Sequence, residues 1–515
     1  MTVTATAARS EVRLPPDRGG WWHRYVCPAH GVELAPGDLF GGAFPERGAA
    51  CAHGCRIDTP EVRGAWAVLA HQACARRIRD LAHSADARDR DQARALLDEY
   101  ARRYAAAVAP HDGADPWMLR GRLFHQALTE AIWAVPIAQA SWALSHQPQL
   151  REQLAAAMDA ARTELAAQGR LRSNYTAWLL AAATVCTRDP ARLPDLYAHV
   201  RDAILPDGWE WEGSTYYHGF VLQAYLLALA AVPDAPVPAD VTATVAAMAR
   251  VLHVLCGPDG RLPALNDGPY ARPAYDVELA DLAALLAAAA PGWDTQPVDP
   301  VTVFPDAGYA VLRVAGLTAV VAFGPHGGSH GHRDTLALHL YGDESPWQPD
   351  PGQVPYGHPV WREHYAATAA HPTFAVDGGE QAECAGRLVR ADATTVVVAC
   401  DDAYPGVRAQ RTVRIDGAIL HDELAVEADA ARTVTSQLRP AVPLTVHAGA
   451  DGVMRTRWTG ATTLLGEHTA DVPALPVVRP GPGPADDPQQ CWSHVDWTAA
   501  GVTRVTFRST YRLGE

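Results

Sequence analysis

Histidines gathered in a glycine-rich turn, with an acid fixed nearby, are the first residues of this chain whose types suggest chemistry. In GPHGGSHGHRDTLALHLYGDESPWQPDPGQ, residues 324–353, the turn holds His326, His330 and His332. A strand-like alternating run follows, and Asp350 then stands between Pro349 and Pro351. His330 and His332, at i and i+2, point to one face if the backbone is extended. His371, in AAHPTFAVDGG, precedes another strand-like run. Two imidazoles and one carboxylate from this group, with an open fourth position, make a reasonable zinc shell; ordinary loop polarity is the competing reading.

Four other stretches carry reactive side chains. In PDGWEWEGSTYYHGFVLQAY, residues 206–225, Glu210, Glu212, Tyr216, Tyr217 and His218 crowd the start of an apolar helix. Acids there also suit the helix dipole, and tyrosines at helical spacing also suit a core. In RLRSNYTAWLL, Arg172 precedes Asn174 and Tyr175 at a helix start, where Asn is also an ordinary cap. LRGRLFHQALTEAIW reads as one helix bearing Arg120, Arg122, His125, Gln126 and Glu130, by default a solvated face. Near the N-terminus, WWHRYVCPAHG and CAHGC bring Cys27, His30, Cys51, His53 and Cys55 into two short runs. These residues either close a small zinc knuckle or are packed free thiols, and their spacing matches no standard zinc ribbon.

The elements that must position these residues fall into two halves. From about Ala65 to Ala290 the apolar period is helical. Leu97, Tyr100, Tyr104 and Val108 share one face, as do Leu154, Met158, Ala161 and Leu165, with Gly169 as a C-terminal cap. The segment PGWDTQPVDPVTVFPDAG, with four prolines, marks a linker. Beyond it the period is two, and Asp416-Gly417 between strand-like runs signals a hairpin. The Pro/Gly-rich PALPVVRPGPGPADDP reads as a loop interrupting the strands. The expected fold class is multidomain, α then β, with an antiparallel β-sandwich at the C-terminal end. Expected boundaries are a disordered arm over 1–20, a helical domain over 21–300 and a β domain over 301–515.

The chain has 515 residues, 48% of them hydrophobic and 20% charged, with a formal net charge of −15. Such an acidic chain is a poor binder of nucleic acid or anionic membrane, so neither is expected as a partner. It contains no lysine, and all 43 cationic side chains are arginine, which excludes lysine Schiff-base chemistry. Nine scattered cysteines do not read as a disulfide framework. MTVTATAARSEVRLPPDRGG lacks a basic stretch leading into an apolar one, so the expectation is a soluble, cytoplasmic protein.

Taken in order, these pieces resemble the heparinase II/III-like polysaccharide lyases. The similarity runs through WWHRYVCPAHG, GRLFHQALTEAIW, DGWEWEGSTYYH, FPDAGYAVLR, HGHRD, PDPG and HPTFAVDG, and covers nearly the whole chain. The resemblance implies an incomplete (α/α) toroid beside a β-sandwich, and β-elimination at a uronic acid. By motif position it makes Tyr217 the catalytic tyrosine, with Asn174 and His330 neutralising the uronate carboxylate and Glu212 in support. It makes His332, Asp350 and His371 the ligands of a structural zinc ion. The substrate-binding set is Arg120, Arg122, Gln126, Glu130, Arg172, Tyr216, His218 and Arg362. The family often has Asn-His where this chain has Asn174-Tyr175, which favours a one-sided route through Tyr217 or a substitute role for Tyr175.

The expected partner is thus an anionic oligosaccharide, and a homo-oligomer stays open. Two other functions compete. One is a glycoside hydrolase on a helical toroid, using a carboxylate pair such as Glu210 and Glu212. The other is a non-catalytic uronate-binding relative.

Overall fold

The computed structural model describes residues 12–107, 115–257, 261–270, 278–293, 295–342, 345–449 and 451–514. Nine α-helices of the described residues make up the first half. They are α1 (Pro60–Ala82), α2 (Ala87–Ala106), α3 (Ala127–Leu144), α4 (Pro148–Ala167), α5 (Asn174–Thr187), α6 (Leu193–Ala203), α7 (Thr215–Ala231), α8 (Ala239–Leu255) and α9 (Leu282–Ala289). A short antiparallel pair, β1 (Ala49–Ala50) and β2 (Arg56–Ile57), precedes them. Helices α1, α3, α5, α7 and α9 are successive neighbours in an inner row, and α2, α4, α6 and α8 pack outside them. Composition explains the layering. In α5 every residue from Asn174 to Cys186 is buried, and in α7 every residue from Thr215 to Ala228. A helix apolar all round must be enclosed. Helix α2 buries only Ala93, Leu97, Tyr100 and Tyr104, the face its sequence predicts, with Val108 outside the described residues. This is the expected α-then-β class, its first half an incomplete toroid.

The second half is antiparallel. Strands β3 (Val301–Phe304), β4 (Tyr309–Val314), β5 (Leu317–Ala322) and β6 (Ala337–Gly342) form a four-stranded sheet in sequence order. A ten-stranded sheet packs on it. Its strands are β7 (Phe374–Val376), β8 (Arg387–Ala391), β9 (Thr395–Cys400), β10 (Val407–Asp416), β11 (Ile419–Leu438), β12 (Leu444–Ala448), β13 (Met454–Thr459), β14 (Thr463–Ala470), β15 (Leu475–Pro482) and β16 (Cys491–Leu513). The predicted hairpin is there: Asp416 pairs with Ile419, and Gly417 turns at φ +59°. Leu312, Leu338 and Leu340 of the small sheet share a core with Val398, Leu424 and Phe507 of the large one. The opposite face, with Phe304, Tyr309, Val311 and Val320, packs against Trp209, Val251 and Leu255 of the helical half. Both faces of the small sheet are therefore buried, and it joins the two halves.

Three expectations change. Residues 1–11 lie outside the described residues, but 12–20 are not a disordered arm. Val12 and Leu14 are buried in the helical core, and Gly19 bridges to Phe124. The Pro/Gly-rich run is not all loop, because β15 pairs with β16 as an edge strand that tolerates its prolines. The third change concerns the segment read as one helix from Arg120. The helix starts only at Ala127, because the buried Glu130 carboxylate accepts from the backbone N–H of Arg122 (2.6 Å) and Leu123 (2.7 Å) and from the Tyr104 hydroxyl (2.8 Å). Those bonds hold the preceding segment as a loop over the helix start.

Candidate active site

A cavity of about 510 Å³ opens where the inner helices meet the β domain, within the size range of small-ligand sites. Helix α5 presents Asn174 and Tyr175 in its first turn. Helix α7 presents Tyr216 and Tyr217, its start fixed by the Ser214 hydroxyl, which accepts from the Tyr217 N–H at 3.3 Å. Two helix N-termini therefore face one cavity, and their partial positive charge favours an anion. The β domain supplies His330 from the β5–β6 connection and Tyr356 from the segment after β6. Gly327 permits the approach, since a Cβ there would lie 2.0 Å from the Glu212 carbonyl oxygen. Trp21, Trp22, Trp117 and Trp211 supply aromatic walls, with Trp117 43% exposed at the edge.

One hydrogen-bonded chain runs inward from Tyr217. Its hydroxyl lies 3.0 Å from that of Tyr356, which donates to Asp267 Oδ2 at 3.0 Å. His330 Nδ1 lies 3.0 Å from the same Asp267 oxygen and 2.9 Å from the Tyr356 hydroxyl, and its ring stacks on Tyr217 at 3.7 Å. Burial alone would raise the Asp267 carboxyl, but the hydrogen bonds and charges of His330 and His332 outweigh it and hold it well below the usual carboxylate range. Asp267 thus stays an anion that orients both His330 and Tyr356.

A second unit involves Asn174 and Glu212. Asn174 Nδ2 donates to the Glu212 oxygens at 3.3 and 3.0 Å, while the Asn174 Oδ1 is buried without a partner. Burial raises the Glu212 carboxyl, against the charge of His330, whose Nε2 is 3.8 Å away. Tyr175 accepts from Gln126 Nε2, and burial pushes its phenol up. Arg170 and Arg172 stand at the cavity as local cations in an acidic chain.

All five residues expected to be catalytic line this cavity: Tyr217, Asn174, His330, Tyr175 and Glu212. Of the expected substrate contacts, Gln126, Arg172 and Tyr216 line it too. Five do not. Arg120 and Arg122 fall in the loop before α3, and Arg122 lies over the Tyr104 ring. Glu130 is consumed by that loop. His218 is wholly buried beneath the cavity, accepting from the Glu210 N–H and donating to the Met248 carbonyl; burial lowers its pKa to about 4. Arg362 holds the histidine turn from outside, donating to the Gly331 and Ser329 carbonyls. Glu210 is also fully buried away from the cavity and accepts from the Glu212 N–H, so the two acids do not straddle a sugar.

Sequence reasoning missed Asp267, Tyr356 and Glu278. Asp267 in LNDGPY reads as turn chemistry, and Tyr356 sits in a proline-rich loop. Glu278 lines the cavity and accepts from the Tyr216 hydroxyl. Burial raises its carboxyl to about 7, opposed by Tyr216 and Arg76. A carboxyl raised on folding adds stability below its unfolded pKa and loses it as pH rises through the folded one, here between about 4.5 and 7. Glu278→Gln is therefore expected to stabilise the chain more at pH 8 than at pH 5, by up to about 3 kcal/mol. Equal shifts in Tm at both pH values would refute this.

Behind the cavity, His332, Asp350 and His371 converge, all buried, with ligand atoms within 4.8 Å of one another. His332 Nε2 donates to Asp267 Oδ1 at 3.1 Å, and His371 Nδ1 donates to the Ala367 carbonyl at 2.8 Å. With both rings neutral, each turns a lone pair toward the other, His332 Nδ1 to His371 Nε2, at 3.0 Å. Asp350 Oδ2 lies 3.8 Å from both. Two facing lone pairs and a carboxylate need a proton or a cation between them, and the donor set fits a metal ion.

Residues 296–475 match a family model described as Heparinase II/III-like, C-terminal. No curated relative matches the chain in sequence. Among solved structures, a heparinase III is similar over 98% of this chain and 87% of its own, with a TM-score of 0.66 and 13% identity. Heparan sulfate lyase HepC from Pedobacter heparinus is similar over 89% and 77%, with a TM-score of 0.63 and 14% identity. A Paenibacillus xanthan lyase is similar over 87% and 54%, with a TM-score of 0.52 and 10% identity. At these identities the likeness is one of fold.

Proposed function

We propose that the protein is a polysaccharide lyase, cleaving a uronic-acid-containing oligosaccharide by β-elimination, a reading supported by the match of residues 296–475 to the heparinase II/III-like C-terminal family model. The observation that carries the reading is Tyr217, set at a helix N-terminus and hydrogen-bonded through Tyr356 to the Asp267–His330 pair, in one cavity with Asn174 and Glu212.

The chemistry explains why these groups belong together. The proton at C5 of a uronate is α to a carboxylate, and its removal places a second negative charge beside the first. The carboxylate must be neutralised before that charge develops. Asn174 and His330 offer the donors, with Glu212 holding the Asn174 amide in place. Tyr217 as phenolate takes the C5 proton, the C5–H electrons form the C4–C5 double bond, and the C4–O4 bond breaks. The same tyrosine returns its proton to O4 and is again a phenolate. The start of α7 favours that phenolate. With Tyr175 tied to Gln126 as a neutral phenol, a one-sided route through Tyr217 is the consistent one.

In this reading His332, Asp350 and His371 hold zinc, since imidazole donors suit it better than calcium or magnesium. The ion supplies a cross-link that fixes the turn carrying His330. Asp350→Ala is expected to lower zinc content by about one equivalent and Tm with it. Zinc content equal to wild type in a folded variant would remove this site.

The function is tested on a panel of uronate oligosaccharides. Elimination gives a product with an ultraviolet-absorbing C4–C5 double bond, and hydrolysis gives saturated ends. Cleavage to saturated products would overturn the proposal.

A further inference from the structure

The N-terminal segment contains a second convergence that the proposed chemistry does not use. Cys27, Cys51 and Cys55 place their sulfurs 3.4, 3.4 and 3.5 Å from one atom, His30 Nδ1. A ring nitrogen carries one lone pair or one hydrogen, so it satisfies one thiol as a hydrogen-bond partner, not three. Equal spacing instead marks four ligand atoms around a common point. Tetrahedral zinc with Zn–S of about 2.3 Å and Zn–N of about 2.0–2.1 Å sets an S···N edge of roughly 3.6 Å. All four atoms lie within 4.8 Å of one another, and the cysteines are free.

The backbone is folded as ligand loops. The Gly31 N–H donates to the Cys27 carbonyl at 2.9 Å and the Gly54 N–H to the Cys51 carbonyl at 3.0 Å, with both glycines at positive φ. The His53 N–H donates to Cys51 Sγ at 3.4 Å, an arrangement that suits a thiolate. His53 is not among the convergent ligand atoms, and its Nε2 pairs with Asp487 Oδ1 of the β domain at 2.9 Å.

We propose that Cys27, His30, Cys51 and Cys55 form a closed structural zinc site that staples the N-terminal wall of the cavity. Four protein ligands leave no open position, so the ion is structural. The stapled loops pack with Tyr25, Val32, Leu34 and Trp66 in a small core of their own. Just before them the chain carries Trp21, Trp22 and His23 into the cavity wall, where His23 lies 4.3 Å from the Tyr356 ring. The site thus ties the first wall of the cavity to helix α1 and, through His53 and Asp487, to the β domain.

The test uses the full chain, purified without an affinity tag. In the Asp350→Ala variant about one equivalent of zinc is expected to remain. Adding Cys51→Ser and Cys55→Ser should take it below about a tenth of an equivalent, since structural zinc binds tightly. Cobalt(II) substituted into the wild-type chain provides a second measurement that needs no variant. The proposed site alone brings sulfur, so thiolate-to-cobalt charge transfer in the near ultraviolet reports it. A cobalt protein without that band, zinc retained after both cysteines are replaced, or a Cys51–Cys55 disulfide in the untreated protein would each overturn the proposal. None of these outcomes depends on whether the chain is a lyase.

Discussion

Tyr217→Phe is expected to remove nearly all turnover while leaving substrate binding close to wild type. One hydroxyl serves both proton transfers in the proposed elimination, and each is typically worth roughly 10²–10⁴-fold. The substitution is otherwise mild. The phenyl ring keeps its stack on His330, 3.7 Å away, and the side chain is only 7% exposed, so the fold should hold. Phenylalanine forgoes the 3.0 Å hydrogen bond between the Tyr217 and Tyr356 hydroxyls. Turnover is read from the ultraviolet-absorbing product and binding from calorimetry on the variant. A folded variant with turnover within about tenfold of wild type would remove Tyr217 from the mechanism.

Asn174→Ala and His330→Ala are expected to lower kcat by roughly 10²–10³-fold, the cost of removing one donor aimed at developing charge, with KM little changed. Their donors oppose charge that grows toward the transition state, so the loss belongs in kcat. The two variants differ in a second effect. Asn174 donates to Glu212, and its removal leaves a buried carboxyl that burial already raises. His330 contributes to the low pKa of Asp267, and its removal leaves that buried acid with fewer partners, so His330→Ala should also melt earlier. His330→Gln, which restores a donor, should recover stability more than turnover. A rise in KM with unchanged kcat in both alanine variants would exclude carboxylate neutralisation by these residues.

The local pattern of the sequence determined the two halves, because each element's periodicity records which of its faces is buried. Leu97, Tyr100 and Tyr104 on α2, and the turn at Asp416-Gly417, are examples. It also determined which residues were chemically able: the tyrosine behind an N-capping serine, the asparagine opening α5, and the histidines of the glycine-rich turn. Their roles came from resemblance to a family, since a cap, a core tyrosine and a catalytic tyrosine have the same local spacing. What only the tertiary structure decided was which loop tips meet. The four-stranded sheet buries one face against the helices and the other against the large sheet, and that packing carries His330 and Tyr356 onto Tyr217. Asp267, in the segment between α8 and α9, becomes the shared partner of His330, His332 and Tyr356 only through hydrogen bonds spanning more than sixty residues of chain. Glu130 shows the converse. Its carboxylate reads as part of a helix face in sequence, yet buried next to free backbone N–H groups it is spent on holding a loop. Local sequence encodes exposure and turn geometry; partners distant along the chain are selected by the packing of whole layers, which no window of residues contains.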